Sequence, residues 1–529
     1  MKKTKFIFIT GGVISGLGKG VSGAALGSLL KSYGYKIFVQ KFDPYYNVDP
    51  GTLSPYQHGE VYVTADGGET DLDLGHYERF INQNLTKKSS FTQGKLLEEL
   101  LQQEREGYYR GHTIQVIPHV TNKIIYKLDQ SAWESKADFI ITEIGGTIGD
   151  IEIEPFTRAI WEFSKLYPKQ CYFVHCAFLL YLETSKEFKT KPIQHSVKSL
   201  NNAGLSPNML LVRSNKEINS DDIIYKVASK TLIPENSVIS LPNIDNIYKL
   251  PLYFAKKKMA ENILKFFNLE VGPNDLSPWK KYVNLLNKPK SKTFNIAMIG
   301  KYVELEDAYK SIIEALNISA NYSLVNIKLI WINVEKLNKE NLESNLESID
   351  GAVVLPGFGK RGFENKILAL TYLRKNNIPT LGICFGMQAM IVEQARHKGI
   401  EDATSSEVSK KGVFVIDLIE GKNKKNIGGT LRLGNYETSL RHDSLVYKLY
   451  KNDFIIERHR HRYEVNPKYV RMYVDEDFIV SGVDTKTYLI EFCELKSHKF
   501  YVGTQAHPEF NATPLKPHPL FSGFIKAMF

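Results

Sequence analysis

Residues 6–20 read Phe6-Ile7-Phe8-Ile9-Thr10-Gly11-Gly12-Val13-Ile14-Ser15-Gly16-Leu17-Gly18-Lys19-Gly20. A short apolar run halted by two glycines has the pattern of a buried parallel strand that ends in a loop. The glycines let backbone N–H groups turn inward on an anion, and Lys19 adds a point charge. Helical spacing over Gly20–Gly34 then places a helix N-terminus behind the loop. A phosphate loop between strand and helix points to an α/β sheet with ligands beyond the carboxyl ends of its strands. The loop departs from G-x-x-x-x-G-K-[ST]: Val13 stands at the first Gly, and Gly20 at the Ser/Thr that normally holds magnesium. A metal here must therefore be held by carboxylates elsewhere.

The same alternation extends outward. Lys36–Lys41, Asp138–Thr142 and Met209–Val212 read as further buried strands, with helical spacing over Gly94–Tyr108 and Ser220–Thr231. Around Leu269–Thr293 the pattern breaks, where Pro273, Pro278 and Pro289 sit among Asn, Ser and Lys, the composition of a linker. Alternation restarts with Phe294–Gly300, Asp307–Leu316, Ile327–Ile332, Gly351–Leu355 and Ile378–Ile383. The expectation is two doubly wound α/β domains, 1–270 and 294–529, joined by a linker over 271–293.

Composition agrees with that size. The 529 residues are 43% hydrophobic and 24% charged, ordinary for core-forming protein and too apolar for a disordered chain. Lys and Arg outnumber Asp and Glu by 68 to 58, a scattered net charge of +10 that suits nucleotides and is weak grounds for a nucleic-acid surface. Cys171, Cys176, Cys384 and Cys493 form no C-x-x-C pair, which argues against a zinc ribbon or disulfide framework and for a reducing cytosol. The apolar run after Met1-Lys2-Lys3 is too short for a signal peptide, and Tyr172–Leu182 is too short to span a bilayer. A soluble cytoplasmic protein is expected.

Two carboxylates stand at loop positions suited to a metal beside the phosphate loop. Asp73 lies in Glu69-Thr70-Asp71-Leu72-Asp73, with Asp71 as second choice, and Glu143 follows the strand Asp138–Thr142. Lys41 closes the second strand, and Lys189-Thr190-Lys191-Pro192-Ile193-Gln194 puts two lysines and an amide in one stiffened segment. With the loop, these suggest room for more than one polyphosphate.

In the second half, the strand Ile378–Ile383 runs into Gly382-Ile383-Cys384-Phe385-Gly386 and then the helix-like Met387–Arg396. G-x-C-x-G at a strand-to-helix turn is the thiol version of the nucleophile elbow. The glycines relieve crowding, and the helix N-terminus favours negative charge on the sulfur. A base is needed, and His507-Pro508-Glu509 supplies one after the strand Lys499–Gln505. Side chains two apart on an extended segment share a face, so Glu509 can orient the His507 ring. Gly357, in Leu355-Pro356-Gly357-Phe358-Gly359, offers a backbone N–H for an oxyanion.

Taken together, these residues resemble the CTP synthases. Gly11–Gly20, Asp43-Pro44-Tyr45, Asn47–Thr52, Glu69–Phe80, Gly145–Glu152 and Lys189–Gln194 are similar to the synthetase half, a P-loop-like, dethiobiotin-synthetase-like amidoligase. Gly382–Gln388, Glu457-Arg458-His459-Arg460-His461-Arg462-Tyr463-Glu464 and His507-Pro508-Glu509 are similar to its class I glutamine amidotransferase half. The resemblance spans nearly the whole chain. It implies ATP-dependent conversion of UTP to CTP through a 4-phosphoryl intermediate, with ammonia from glutamine, GTP as activator and CTP as inhibitor.

Carried over position by position, the resemblance puts ATP on Gly16, Leu17, Gly18, Lys19, Gly20, Asp73, Pro242, Asn243 and Ile244, and Mg2+ on Asp73 and Glu143. UTP or CTP falls to Ser15, Asp150, Ile151, Glu152, Lys189–Gln194 and Lys226. Glutamine falls to Gly357, Phe385, Gly386, Met387, Gln388, Glu407 and Arg462. Catalysis falls to Cys384, His507, Glu509, Lys19 and Lys41. Pro356 stands where the family commonly has a second glycine, Phe385 where it commonly has Leu, and Pro242-Asn243 differ from the common pair. The resemblance further implies an internal ammonia passage with His58 at its mouth, dimers assembling into homotetramers, and filaments. Two other readings use the same parts: a glutamine-dependent ligase that amidates a carboxylate, as cobyrinate amidases do, and a DNA-binding phosphate-loop ATPase, in which a Cys-His-Glu set would have no task.

Overall fold

The computed structural model describes residues 4–218, 220–241, 243–418 and 431–529. The chain forms two compact units, Met1–Asp49 with Asp73–Val283, and Pro50–Leu72 with Asn284–Phe529.

The first unit is built on an eight-stranded sheet. Its path runs Val238–Leu241, Met209–Ser214, Cys171–Leu182, Lys5–Gly11, Phe139–Ile144, Ile37–Asp43 and Ser90–Thr92, every neighbour parallel. Glu187–Lys189 adds an antiparallel pairing to the long strand. The opening strand sits mid-sheet and is buried from Phe6 to Gly11, so its apolar residues run without alternation. Against it lies the helix Lys19–Ser32, whose small residues allow close approach: a Cβ on Gly23 would come within 2.9 Å of Ile9 Cδ1. The strand expected over Asp138–Thr142 spans Phe139–Ile144, so Glu143 is a strand residue with its carboxyl at the sheet's carboxyl edge.

The second unit carries a nine-stranded sheet in the order Asn326–Asn333, Thr293–Gly300, Gly351–Val354, Thr380–Ile383, Tyr501–Thr504, Ile490–Leu495, Phe478–Asp484, Arg432–Leu440 and Phe454–His461. It is parallel up to Tyr501–Thr504 and antiparallel beyond. Helices, among them Lys310–Tyr322, Phe363–Lys375 and Phe385–His397, and two small sheets flank it, one of the sheets being the pair Tyr62–Val63 and Glu69–Thr70.

Two stretches behave differently from the expected division at 271–293. Pro50–Leu72, early in the chain, folds with the second unit. Within 271–293 lies a helix, Ser277–Leu286, whose Trp279 and Tyr282 are buried; Trp279 stacks on Phe80 with ring centroids 5.6 Å apart. Two aromatic residues three apart supply enough apolar area to hold a helix that Pro and Lys content argues against.

Candidate active sites

In the first unit the loop after Gly11 holds Val13, Gly16 and Gly18 in left-handed backbone conformations, and residues 13–16 are exposed. Gly11, Gly12 and Leu17 are buried beneath it. Lys19 donates to the Gly146 carbonyl, and burial lowers its pKa against the opposing pull of Glu143. Lys41 Nζ lies 2.7 Å from Asp73 Oδ2, and Tyr77 donates to Glu143. Burial, reinforced by the Asp73 charge, raises the Glu143 carboxyl to about 7.

The structure gives a reason for Gly20. A Cβ there would meet Asp73 Oδ1 at 2.7 Å and Glu143 Oε2 at 2.9 Å. Two hard oxygen donors converge on the space that a Ser or Thr side chain fills in the common motif, a donor set that fits Mg2+.

The other nucleotide candidates are distributed around this edge. Asp150, Ile151 and Glu152 are exposed at the turn Ile151–Ile153. Lys189 donates to Glu187, whose carboxyl is held low first by Lys189 and also by Lys226, so the two lysines share a neighbourhood. Thr190 and Ile193 are buried, Ile193 in an apolar cluster, while Gln194 Nε2 donates to Thr190 Oγ1 at 3.0 Å and Lys191 is exposed. Asn243 is exposed and Ile244 half-buried after the strand Val238–Leu241. Pro242 lies outside the described residues.

In the second unit Cys384 has φ 53° and ψ −104°, a left-handed φ for a non-glycine residue, at the N-terminus of the helix Phe385–His397. Its amide donates to the Thr504 carbonyl at 2.7 Å, continuing the pairing of Thr380–Ile383 with Tyr501–Thr504. That pairing brings the segment after Thr504 to the elbow. His507 Nδ1 lies 2.7 Å from Glu509 Oε1. Burial alone would lower the ring's pKa, but the Glu509 and Cys384 charges outweigh it and raise His507 to about 10. The Cys384 sulfur has the Arg460 carbonyl at 3.8 Å and Gln505 Nε2 at 3.7 Å. Gln388 Nε2 donates to the Tyr463 carbonyl at 2.9 Å and to Gln505 Oε1 at 3.2 Å. Gly386 is obligatory, because a Cβ there would run into the Val354 carbonyl.

A cavity of about 180 Å³ opens beside the sulfur, lined by Gly357, Phe358, Cys384, Arg460 and His507 among others. Gly357 has φ +142°, and Gly359 N donates to Glu407 Oε1 at 2.7 Å. Burial raises the Glu407 carboxyl, opposed by that bond and by the charges of Lys301 and Arg462. Phe385 and Met387 are core residues, so of the glutamine candidates these two do not offer a side chain to a ligand.

Several participants were not anticipated. Lys301 Nζ donates to the carbonyls of Phe358 (2.6 Å) and Gly359 (2.7 Å), and the fully buried Lys366 to that of Leu355 (2.5 Å). Burial lowers them to about 8 and about 7 respectively. Both ammonium groups sit 5.0 Å from the centroid of the Phe385 ring, which gives that residue an electrostatic task. Sequence signals existed: Lys301 directly follows a strand-end glycine, and Lys366 shares a helix face with Phe363, Ile367 and Leu370.

Residues 5–269 match the family model described as CTP synthase N-terminus, and residues 304–527 that of glutamine amidotransferase class-I. The chain is 51% identical over 531 residues to a CTP synthase of Mycoplasmopsis pulmonis, covering 100% of this chain and 98% of that one. It is 45% identical over 529 residues to a CTP synthase of Bacillus subtilis, at 99% and 98% coverage. Among solved structures, the glutaminase domain of Trypanosoma brucei CTPS with bound acivicin is 31% identical with a TM-score of 0.42, covering 44% of this chain and 93% of that one.

Proposed function

The chain belongs to the CTP synthases, glutamine-hydrolysing ligases, and from that premise we propose how its residues divide the reaction. Glutamine binds in the cavity beside Cys384, with Glu407 and Arg462 on its charged end. The sulfur attacks the carboxamide carbon, and the oxygen gathers charge against the Gly357 N–H. His507, having taken the thiol proton as the sulfur attacks, gives it to the leaving amine as collapse of that intermediate breaks the carbon–nitrogen bond. Water, deprotonated by His507, then cleaves the thioester to glutamate and restores the thiol. Making ammonia inside the protein delivers the neutral nucleophile, since free ammonia in neutral water is mostly ammonium.

In the first unit ATP occupies the loop of residues 15–20, and UTP the edge formed by Asp150–Glu152, Lys189–Gln194 and Lys226. The γ-phosphoryl passes to O4 of the uracil, with Lys19 and Lys41 offsetting its charge. Ammonia adds at C4 and phosphate departs with O4. Asp73 and Glu143 would hold Mg2+, which neutralises triphosphate charge when bound. Activation by GTP, inhibition by CTP and assembly into tetramers rest on the family likeness.

The strained Cys384 at a helix N-terminus, with His507 tied to Glu509 at 2.7 Å, carries this reading. Cys384→Ala tests it. Glutamine-dependent CTP formation is expected to vanish while ammonia-dependent formation persists, and equal loss with both nitrogen sources would count against the division of labour.

A further inference from the structure

The strand Phe454–His461 closes one end of the nine-stranded sheet, so one of its edges is unpaired by Arg432–Leu440. Two carbonyls two residues apart on a strand point the same way. Here the Arg458 carbonyl accepts from His507 N at 2.7 Å, and the Arg460 carbonyl lies 3.8 Å from Cys384 Sγ. One strand edge thus touches both base and nucleophile, adding a second constraint to the pairing of Thr380–Ile383 with Tyr501–Thr504 that brings them together.

The side chains of the same two residues are anchored in Pro50–Leu72. Arg458, fully buried, donates through Nη1 to Tyr62 Oη at 2.9 Å and to the Val63 carbonyl at 3.0 Å. Arg460 donates through Nε to Glu69 Oε1 at 2.8 Å and through Nη2 to the Gly51 carbonyl at 3.2 Å, and lies over the Phe358 ring at 5.2 Å. Both side chains of the ion pair are largely buried, Glu69 at 6% exposure and Arg460 at 15%. Gly51 fits this arrangement: a Cβ there would lie 2.5 Å from Glu69 Oε2 and 2.9 Å from Oε1. Gly51, Leu53 and Val61 also line the cavity, so the segment is both wall and anchor.

We propose that Glu69 and Arg460 are positioning residues for glutamine hydrolysis, their ion pair holding the strand edge that touches both Cys384 and His507. This rests on the reading of the cavity as the glutamine site. Removing one partner of a buried pair leaves an uncompensated charge, which moves toward water and takes its strand with it. Gly51 and Arg460 line the cavity wall, but Glu407 and Arg462, assigned to the charged end of glutamine, are not members of this pair. The effect should fall on turnover and not on binding.

The test measures CTP formation with glutamine and with ammonia, and the rate at which iodoacetamide alkylates Cys384, in the full chain. Glu69→Ala is expected to lower kcat with glutamine by about tenfold or more and slow alkylation, with KM for glutamine and ammonia-dependent turnover within about twofold, the pattern of a misplaced reacting group. Gly51→Ala, which displaces the Glu69 carboxylate, should reproduce this, and the Gly51→Ala/Glu69→Ala double variant should be no worse than Glu69→Ala. Unchanged kcat with glutamine, equal loss with both nitrogen sources, or multiplying losses in the double variant would each overturn the proposal. Cys384→Ala, assayed alongside, separates the two levels. If it abolishes glutamine use while Glu69→Ala does nothing, only the positioning role falls; if it leaves glutamine use intact, the glutamine site itself falls.

Discussion

Lys366 and His507 are buried ionisable groups of the same unit, pushed in opposite directions. His507 is raised to about 10 because Glu509 and Cys384 outweigh its burial. Against an ordinary value of about 6.5, its contribution to stability is complete below that pH and is lost as pH climbs to about 10. Lys366 is lowered to about 7 by burial, with Lys301 adding to the effect. Against about 10.4 in the unfolded chain, it costs stability at neutral pH, and the cost fades as pH rises toward that value. The two slopes oppose each other over nearly the same window. Substituting either group should expose the other. Glu509→Gln removes the main support for the His507 charge, so denaturation midpoints should rise with pH relative to the parent between about pH 7 and 10. Lys366→Met should give midpoints that fall with pH over that window, and should impair glutamine use, because the Leu355 carbonyl loses its donor. Parallel pH profiles in parent and both variants would contradict the assignment.

At the scale of elements, the helix Lys19–Ser32 begins where two carboxylates converge, and Gly20 leaves them room. Gly20→Ser restores the letters of the common phosphate-loop motif and should still be destructive, since its Cβ would meet Asp73 Oδ1 at 2.7 Å and Glu143 Oε2 at 2.9 Å. CTP formation should fall by about a hundredfold or more with glutamine and ammonia alike, the signature of a lost phosphoryl-transfer geometry. A variant with parental ammonia-dependent turnover would show that the carboxylates do not need that space. The loop itself was legible because glycine spacing, a buried run and a lysine each have local causes. So was the elbow, since a cysteine between glycines at a strand end leaves few other conformations. Lys366 and Lys301 were harder, because a lysine's usual place is solvent and only the fold supplies the carbonyls that Leu355, Phe358 and Gly359 present. The helix Ser277–Leu286 was hidden for the converse reason: its one proline and two lysines describe its surface, while Trp279 finds Phe80 only through tertiary packing.

For the molecule as a whole, chain order and unit membership differ. Pro50–Leu72 precedes most of the first unit in sequence and folds with the second. Nothing in its composition announces this, because its anchors are distant: Glu60 accepts from Ser311 N at 3.1 Å and Ser311 Oγ at 2.5 Å, and Ala65 pairs with Asn435 at 2.9 Å. A fragment starting at 284 therefore keeps the sheet and its two apolar clusters but lacks the partners of two inward-facing arginines. Such a fragment should fold with the same secondary structure, yet hydrolyse glutamine at least about tenfold more slowly than the full chain, since the reacting groups are present but poorly spaced. Adding a peptide of residues 50–72 should recover part of the rate in a saturable way, and the same peptide with Glu69→Ala should recover less. A fragment as active as the full chain would mean that the nine-stranded sheet alone aligns Cys384 with His507, and that the early segment is only a covering.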